Sequence, residues 1–323
     1  MSGGTVLVIG GGLMGLWSAL ELARAGFEVT VCEAQSLGRH ASSASAGGVR
    51  SLNRHPAEIP LARAGLALWR KAAADLGGDV GFQAGGQIRV AQDAAGLEAL
   101  EARAALTESL GFDHEKLIGA NALRAREPAI AQGCRGALMV EDDGFASPLL
   151  TMHVLRRAIL AAGVTVHEGC AVTRLSGSGP IVAETGLGEI SAEFVVNAAG
   201  AWGNKIAQCV GEPVPMTARG LQMSVTEPMP AFVSAVLGVE GKKLSLKQMQ
   251  GGHVVIGGGF YGRLDETGTL ARPLPANVAK NLANAVSLFP ALAERRVVRS
   301  WAGIEGITDD GLPVIAPSVS TPG

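Results

Sequence analysis

The chain predicts an α/β fold with a parallel sheet, and three observations carry that expectation. A β-branched run, Thr5 to Ile9, leads directly into glycines; Leu13 to Ala25 has a helical pattern closed by Gly26; and Phe27 to Glu33 is a second apolar strand. A strand–helix–strand opening places its strands side by side and parallel, joined by a right-handed crossover.

The remaining elements follow from the same patterns. Gly38 to Gly48 is a loop of small residues, and Ala57 to Leu76 reads as a helix with apolar Leu61, Ala64, Leu68 and Ala72. Gly86 to Ala91 is a strand, Gly96 to Leu110 a helix, and Leu149 to Ala162 a further helix. Val164–His167, Ala171–Leu175, Ile181–Glu184 and Phe194–Val196 are strands joined by glycine-rich turns. Gly211 to Pro230 holds four prolines and marks a crossing between domains; His253 to Gly257 is a strand and Asn277 to Phe289 a helix. With no repeat and no low-complexity linker, two interleaved domains fit better than two separate ones.

Composition narrows the function classes. Of 323 residues, 47% are hydrophobic and 17% charged, which excludes a disordered, solvating chain. The 27 Lys and Arg balance 29 Asp and Glu with no basic block, so neither nucleic acid nor an anionic membrane is the expected partner. Thr5 to Leu22 is apolar, but no Lys or Arg precedes it and Gly10, Gly11, Gly12 and Gly15 interrupt it. It reads as a buried strand, turn and helix rather than a leader or membrane span. Cys32, Cys134, Cys170 and Cys209 form no C-x-x-C, and no two of the six histidines have metal-ligand spacing. The expectation is reduced thiols, no metal and a cytoplasmic protein.

The opening turn carries the chemistry. Gly10-Gly-Gly12-Leu13-Met14-Gly15 is G-x-G-x-x-G between a strand and a helix. Gly10 permits the tight turn, Gly12 lets a pyrophosphate approach the backbone, and Gly15 lets the helix pack on the strand. The helix N-terminus offers N–H groups and a partial positive charge to the anion. Glu33 ends the second strand eighteen residues after Gly15, where a carboxylate accepts hydrogen bonds from a ribose diol and disfavours a 2′-phosphate. This fingerprint alone does not separate FAD from NAD.

Later segments extend the pattern. The Ser42-Ser43-Ala-Ser-Ala-Gly47-Gly48 loop follows the acid. Val195-Val-Asn-Ala-Ala199-Gly200-Ala-Trp202 runs from a strand into a turn of small residues. Trp301-Ala-Gly-Ile-Glu305-Gly-Ile-Thr-Asp-Asp-Gly-Leu-Pro-Val-Ile315 lies near the end. Together with the fingerprint, these resemble the FAD-dependent D-amino-acid oxidase superfamily. They come in that family's order over nearly the whole chain, with a texture nearest glycine and sarcosine oxidases, hydrogen cyanide synthase and opine-oxidase flavin subunits.

The resemblance implies a Rossmann-like FAD-binding domain with a parallel sheet, plus an interleaved α+β substrate domain with a mainly antiparallel sheet. The approximate division is residues 1–52, 144–212 and 300–323 for FAD and 53–143 and 213–299 for substrate. It implies that Gly10, Gly12, Leu13, Met14 and Gly15 hold the pyrophosphate and Glu33 the ribose. Ser42, Ser43, Gly47 and Gly48 would lie along the flavin, Val172 against the adenine, and Ala199 and Gly200 at the cofactor's border. Lys247, Gln248, Tyr261 and Glu305 are candidates for the substrate pocket, and no catalytic residue is assigned.

The implied activity is oxidation of an amine or amino acid C–N bond to an imine, by hydride transfer to flavin N5, followed by hydrolysis. The alternatives are a flavin subunit passing electrons to a partner subunit, or a dinucleotide-binding scaffold without turnover. Two departures from the family pattern matter. Ile304-Glu305-Gly306 stands where relatives acting on free amino acids often carry an arginine that clamps the substrate carboxylate; Arg219, Lys247 and Arg50 are the possible substitutes. The family's later G-x-x-G-H-G turn and helix, which face the flavin's pyrimidine edge, do not follow Pro317. The corresponding expectation is weaker FAD binding and slow turnover that an added segment would raise.

Overall fold

A computed structural model describes residues 3–177 and 179–323. The chain opens with β1 (Thr5–Ile9), α1 (Leu13–Arg24), β2 (Glu28–Glu33), α2 (Ala41–Ala44) and β3 (Gly48–Val49). It continues through α3 (Ile59–Leu76), β4 (Gln87–Ala91), α4 (Ala94–Ser109), β5 (Lys116–Gly119), α5 (Ala120–Arg126), β6 (Gly136–Val140) and β7 (Gly144–Phe145). Next come α6 (Pro148–Ala161), β8 (Thr165–Glu168), β9 (Val172–Ser176), β10 (Ile181–Thr185), β11 (Gly188–Ala192), β12 (Phe194–Asn197) and α7 (Gly203–Cys209). The last part holds β13 (Met216–Thr226), β14 (Val236–Val239), β15 (Ser245–Gln248), β16 (Val254–Gly257), β17 (Arg263–Leu264), β18 (Ala271–Arg272), α8 (Pro275–Leu288) and β19 (Val297–Thr308).

The expected parallel sheet has the order β12-β1-β2-β8. From Val6 to Ile9 its strand β1 is apolar because both faces are covered. Val6 and Val8 pack with Leu16, Leu20 and Leu155, on the side of α1 and α6, while Leu7 and Ile9 pack with Cys32, Cys170 and Ile181. Each such side chain stabilises the fold by about 1.5–3 kcal/mol through burial. Among the described residues no helix is long and apolar enough to cross a membrane.

The second large element is an eight-stranded sheet, β19-β13-β16-β15-β14-β4-β6-β5, antiparallel except for the β14–β4 pair. Two of its longest strands lie where the sequence pattern predicts none. Pro213, Pro215, Pro228 and Pro230 bracket β13 rather than break it, and β19 runs through Gly303 and Gly306. Pairing over eleven consecutive residues of β13 outweighs the weak strand propensity of those glycines.

One face of this sheet is dry. Ile88, Val90, Leu237, Leu246, Val254 and Ile256 meet Ala285, Leu288 and Phe289, beneath α8. Register assigns the other face. Lys247 pairs with Val255, Val255 with Val225, and alternate residues of β13 pair with Trp301, Gly303 and Glu305 of β19. That second face looks toward α2. The Trp301 indole N–H donates to the Ala44 carbonyl at 2.8 Å, and a Cβ on Gly303 would lie 2.3 Å from Ala44 Cβ.

Candidate active site

The glycine turn is built around close backbone approaches. Gly10 has φ +113°, and a Cβ there would stand 2.3 Å from the Ala198 carbonyl oxygen; one on Gly15 would stand 1.9 Å from the Gly10 oxygen. Both positions are closed to side chains by the fold itself. Gly12 differs. It is the N-cap of α1, offers no side-chain acceptor, and an added Cβ would meet only Ser42 Oγ, at 3.0 Å. The helix end is therefore open, with Met14 68% exposed beside it.

Glu33 stands at this opening. Its carboxylate accepts from the backbone N–H groups of Gly11 at 2.7 Å and Gln35 at 2.8 Å. The Leu13 N–H donates to Ser42 Oγ at 2.8 Å, which ties the small-residue loop to the start of α1. The Glu33 carbonyl accepts from Cys170 N at 2.8 Å, which brings Val172 to the same edge. β12 leads through Ala198, whose N–H donates to the Ile9 carbonyl at 2.9 Å, into Ala199 and Gly200. The Ser43 backbone N–H donates to the Gly38 carbonyl at 3.1 Å. An open helix N-terminus, with Ser42 holding its Leu13 N–H and a carboxylate beside it, fits an extended dinucleotide, with the pyrophosphate over Gly12 and the ribose at Glu33.

Glu33→Ala should weaken FAD by ~1–3 kcal/mol, through loss of a charge-assisted acceptor and of its hold on the turn. Titration of FAD into both proteins checks it, and equal affinities would remove Glu33 from the site.

Gly47 and Gly48 lead from this cradle to the large sheet. Gly47 has φ +68°, and a Cβ there would sit 2.2 Å from the Ala146 oxygen; Gly48 pairs with Phe145. The chain beyond is fixed by Asp143, whose buried carboxylate accepts from Ser51 N, Ser51 Oγ and Leu52 N at 2.8–2.9 Å. Lys247 reaches the same place from β15. It is 3% exposed, its Nζ has no hydrogen-bond partner, and it lies 3.9 Å from the centre of the Phe145 ring. Burial holds its pKa down at about 7.

Gln248 does not share that pocket. Strand alternation turns it to the opposite face, where its amide accepts from Phe232 N at 2.9 Å and donates to the Met229, Pro230 and Gly252 carbonyls at 3.0–3.1 Å. Its polar capacity is spent on the 229–233 loop, so it is a structural amide rather than a pocket residue. Glu305 and Tyr261 do converge. Glu305 faces Arg219 across the β13–β19 pair, and the Arg219 guanidinium lies 5.9 Å from the Tyr261 ring. Burial raises the Glu305 carboxyl above its usual range, and burial together with Glu305 raises the Tyr261 phenol.

A cavity of about 650 Å3 lies between Glu305 and the chain that leaves the cradle; Gly48, Val49, Arg50, Trp69 and Glu305 are among its walls. Gln87 lines a second cavity, of about 410 Å3, and Phe145 packs against the Lys247 amine; neither stands out in the sequence. Gln87 is 8% exposed and its Oε1 has no partner. The signal available for it was the alternation of β4, which puts Gln87 on the face away from Ile88.

Comparison with known proteins shows the family and the fold. A family profile described as FAD dependent oxidoreductase (DAO) matches residues 5–323. The chain is 29% identical to a glycine oxidase of Geobacillus kaustophilus over 96% of its length and 83% of the relative's. It is 28% identical to one of the subunits of the opine oxidase of Rhizobium meliloti, over 98% and 85%. The crystal structure of glycine oxidase from Geobacillus kaustophilus superposes with a TM-score of 0.89 at 25% identity, covering 98% of this chain and 86% of that one.

Proposed function

The chain belongs to the FAD-dependent oxidoreductase (DAO) family, and on that premise we propose that it oxidises the C–N bond of an amine or amino acid to an imine, which water then hydrolyses. The observation that supports this reading most strongly is the meeting of the flavin-side loop, Gly47 to Arg50, with the face of the large sheet that carries Lys247 and Glu305. FAD, when bound, supplies the two-electron acceptor.

The protein's own groups would then orient the substrate and manage its protons. An amine is oxidised as the neutral base, so the ammonium proton must leave first. Lys247, held near neutrality in its pKa, can take up or release a proton at Nζ within the working pH range. Glu305 and Tyr261 would position the amine nitrogen, and the buried sheet face would exclude water. Glycine oxidase relatives support the amine substrate class, and anaerobic loss of flavin colour on adding an amine tests it.

A second reading concerns the electron acceptor. The similarity to a protein named as an oxidase subunit favours a partner chain that receives the electrons. Dye reduction without oxygen consumption would support that partner, and oxygen consumption by the chain alone would exclude the need for it.

A further inference from the structure

Three of the four cysteines gather in one place, although no spacing in the chain pairs them. Cys32, near the end of β2, and Cys170, just after β8, are 138 positions apart, yet their sulfurs lie 3.4 Å from each other, with the Cys170 thiol donating to Cys32. Both are buried, at 1% and 0% exposure, among Leu7, Ile9, Ile181 and Ile206. The half-buried Cys209 packs against the same cluster, whereas Cys134 stands apart in the core of the large sheet.

The pair forms the floor of the glycine-turn cradle. The Cys32 carbonyl accepts from Gly10 N at 2.9 Å, and the next residue is Glu33. Cys170 N donates to the Glu33 carbonyl at 2.8 Å, and Gly169 N donates to the Gln35 carbonyl at 2.8 Å. Val172 and Ala199, at the rim of the cradle, pack on the same cluster. Main-chain bonds therefore carry any movement of either cysteine to the turn and to the carboxylate beside it. Burial, with Cys170 alongside, pushes the Cys32 thiol up to about 12. A thiol held in its protonated form is a poor nucleophile, so oxidation waits on local opening of this edge of the sheet.

We propose that Cys32 and Cys170 are a reversible redox pair beneath the cradle, joined as a disulfide by a peroxide when the cofactor is off, and that the bond weakens FAD binding. The inference rests on FAD binding by this family and not on the amine-oxidation reading. One hydrogen peroxide balances the step. A cysteine sulfur attacks one peroxide oxygen and the O–O bond breaks. The leaving hydroxide takes the thiol proton as the first water, and a sulfenic acid remains. The second sulfur displaces the sulfenic hydroxyl, which departs with the other thiol proton as the second water. Two thiols lose two electrons and the peroxide gains them. Bonding draws the sulfurs together from 3.4 Å, and the pull shifts Glu33 from the position that its bonds to Gly11 and Gln35 now fix.

Protein stripped of FAD and protein loaded with it are treated with hydrogen peroxide, and thiols are counted in denaturant. The count should fall from four to two in the stripped protein, with digestion locating a Cys32–Cys170 bond, and dithiothreitol should restore it. Loaded protein should react at least about tenfold more slowly, because bound FAD opposes opening of the cradle. FAD titrated into the oxidised form should bind at least about threefold more weakly than into the reduced form, and reduction should reverse the loss. Two variants sort the thiols. Cys170→Ala should abolish both the bond and the peroxide effect on FAD, and Cys209→Ala should keep both. The parent's thiol count and digest stand whether or not either variant folds. Four surviving thiols, a bond that uses Cys134 or Cys209, equal rates with and without FAD, or equal FAD affinity of the oxidised and reduced forms would overturn the proposal.

Discussion

Gly12→Val should give a folded protein that carries no FAD. The two neighbouring glycines cannot make this separation, because a side chain at Gly10 or Gly15 collides with backbone less than 2.5 Å away and damages the turn itself. At Gly12 the backbone is extended, with φ −81° and ψ −177°, a conformation a β-branched residue accepts. The one nearby atom is the Ser42 hydroxyl oxygen, which can rotate aside. The new methyl groups would project into the opening at the end of α1, over which the pyrophosphate is proposed to lie. FAD affinity should fall at least about a hundredfold, or ~2.7 kcal/mol. Flavin absorbance per protein after reconstitution reads the loss, and thermal unfolding reads the fold. A yellow, fully loaded variant would place the cofactor elsewhere.

Lys247→Met should make the protein more stable and less active. In the unfolded chain the amine keeps its proton up to about 10.5, and in the fold only up to about 7. Between those values the unfolded state binds more protons, so this group makes stability rise with pH from about 7 to 10.5 and level off on either side. At neutral pH the depressed pKa costs on the order of 4 kcal/mol. Methionine keeps most of the volume and leaves no amine to desolvate, so a gain of about 2–4 kcal/mol in unfolding free energy is expected, together with loss of the pH slope. Urea unfolding at pH 7 and pH 9.5 measures both. An unchanged slope would mean that the amine is not the group that titrates. Turnover should fall at least about tenfold, as for loss of a proton acceptor, and full activity would remove Lys247 from the reaction.

The parts of the fold that were legible in the sequence are those where local pattern and tertiary demand coincide. β1, α1 and β2 are strongly periodic, and the glycines between them have positions that only a phosphate-binding turn requires. β13 and β19 were not legible. Their stability comes from pairing with each other across about eighty residues, and a single strand shows nothing of its partner. The site divides in the same way. Glu33 is fixed by its distance from the glycine turn, whereas the roles of Lys247 and Gln248 are fixed by which face of β15 each occupies. Adjacent in sequence, they point to opposite sides of the sheet, and only the register tells them apart. Gln87, Lys243 and Arg50 line one cavity from three separate segments, which no spacing in the chain announces.

The central claim is that this chain takes electrons from a C–N bond into FAD. Its most direct test is the visible spectrum of the purified, FAD-reconstituted protein, recorded without oxygen before and after adding simple amines, D-amino acids and N-alkyl amino acids. The flavin spectrum should bleach with at least one of these and return when an electron acceptor is admitted. A stable flavin spectrum that none of them changes would contradict it and leave a dinucleotide-binding protein without amine turnover.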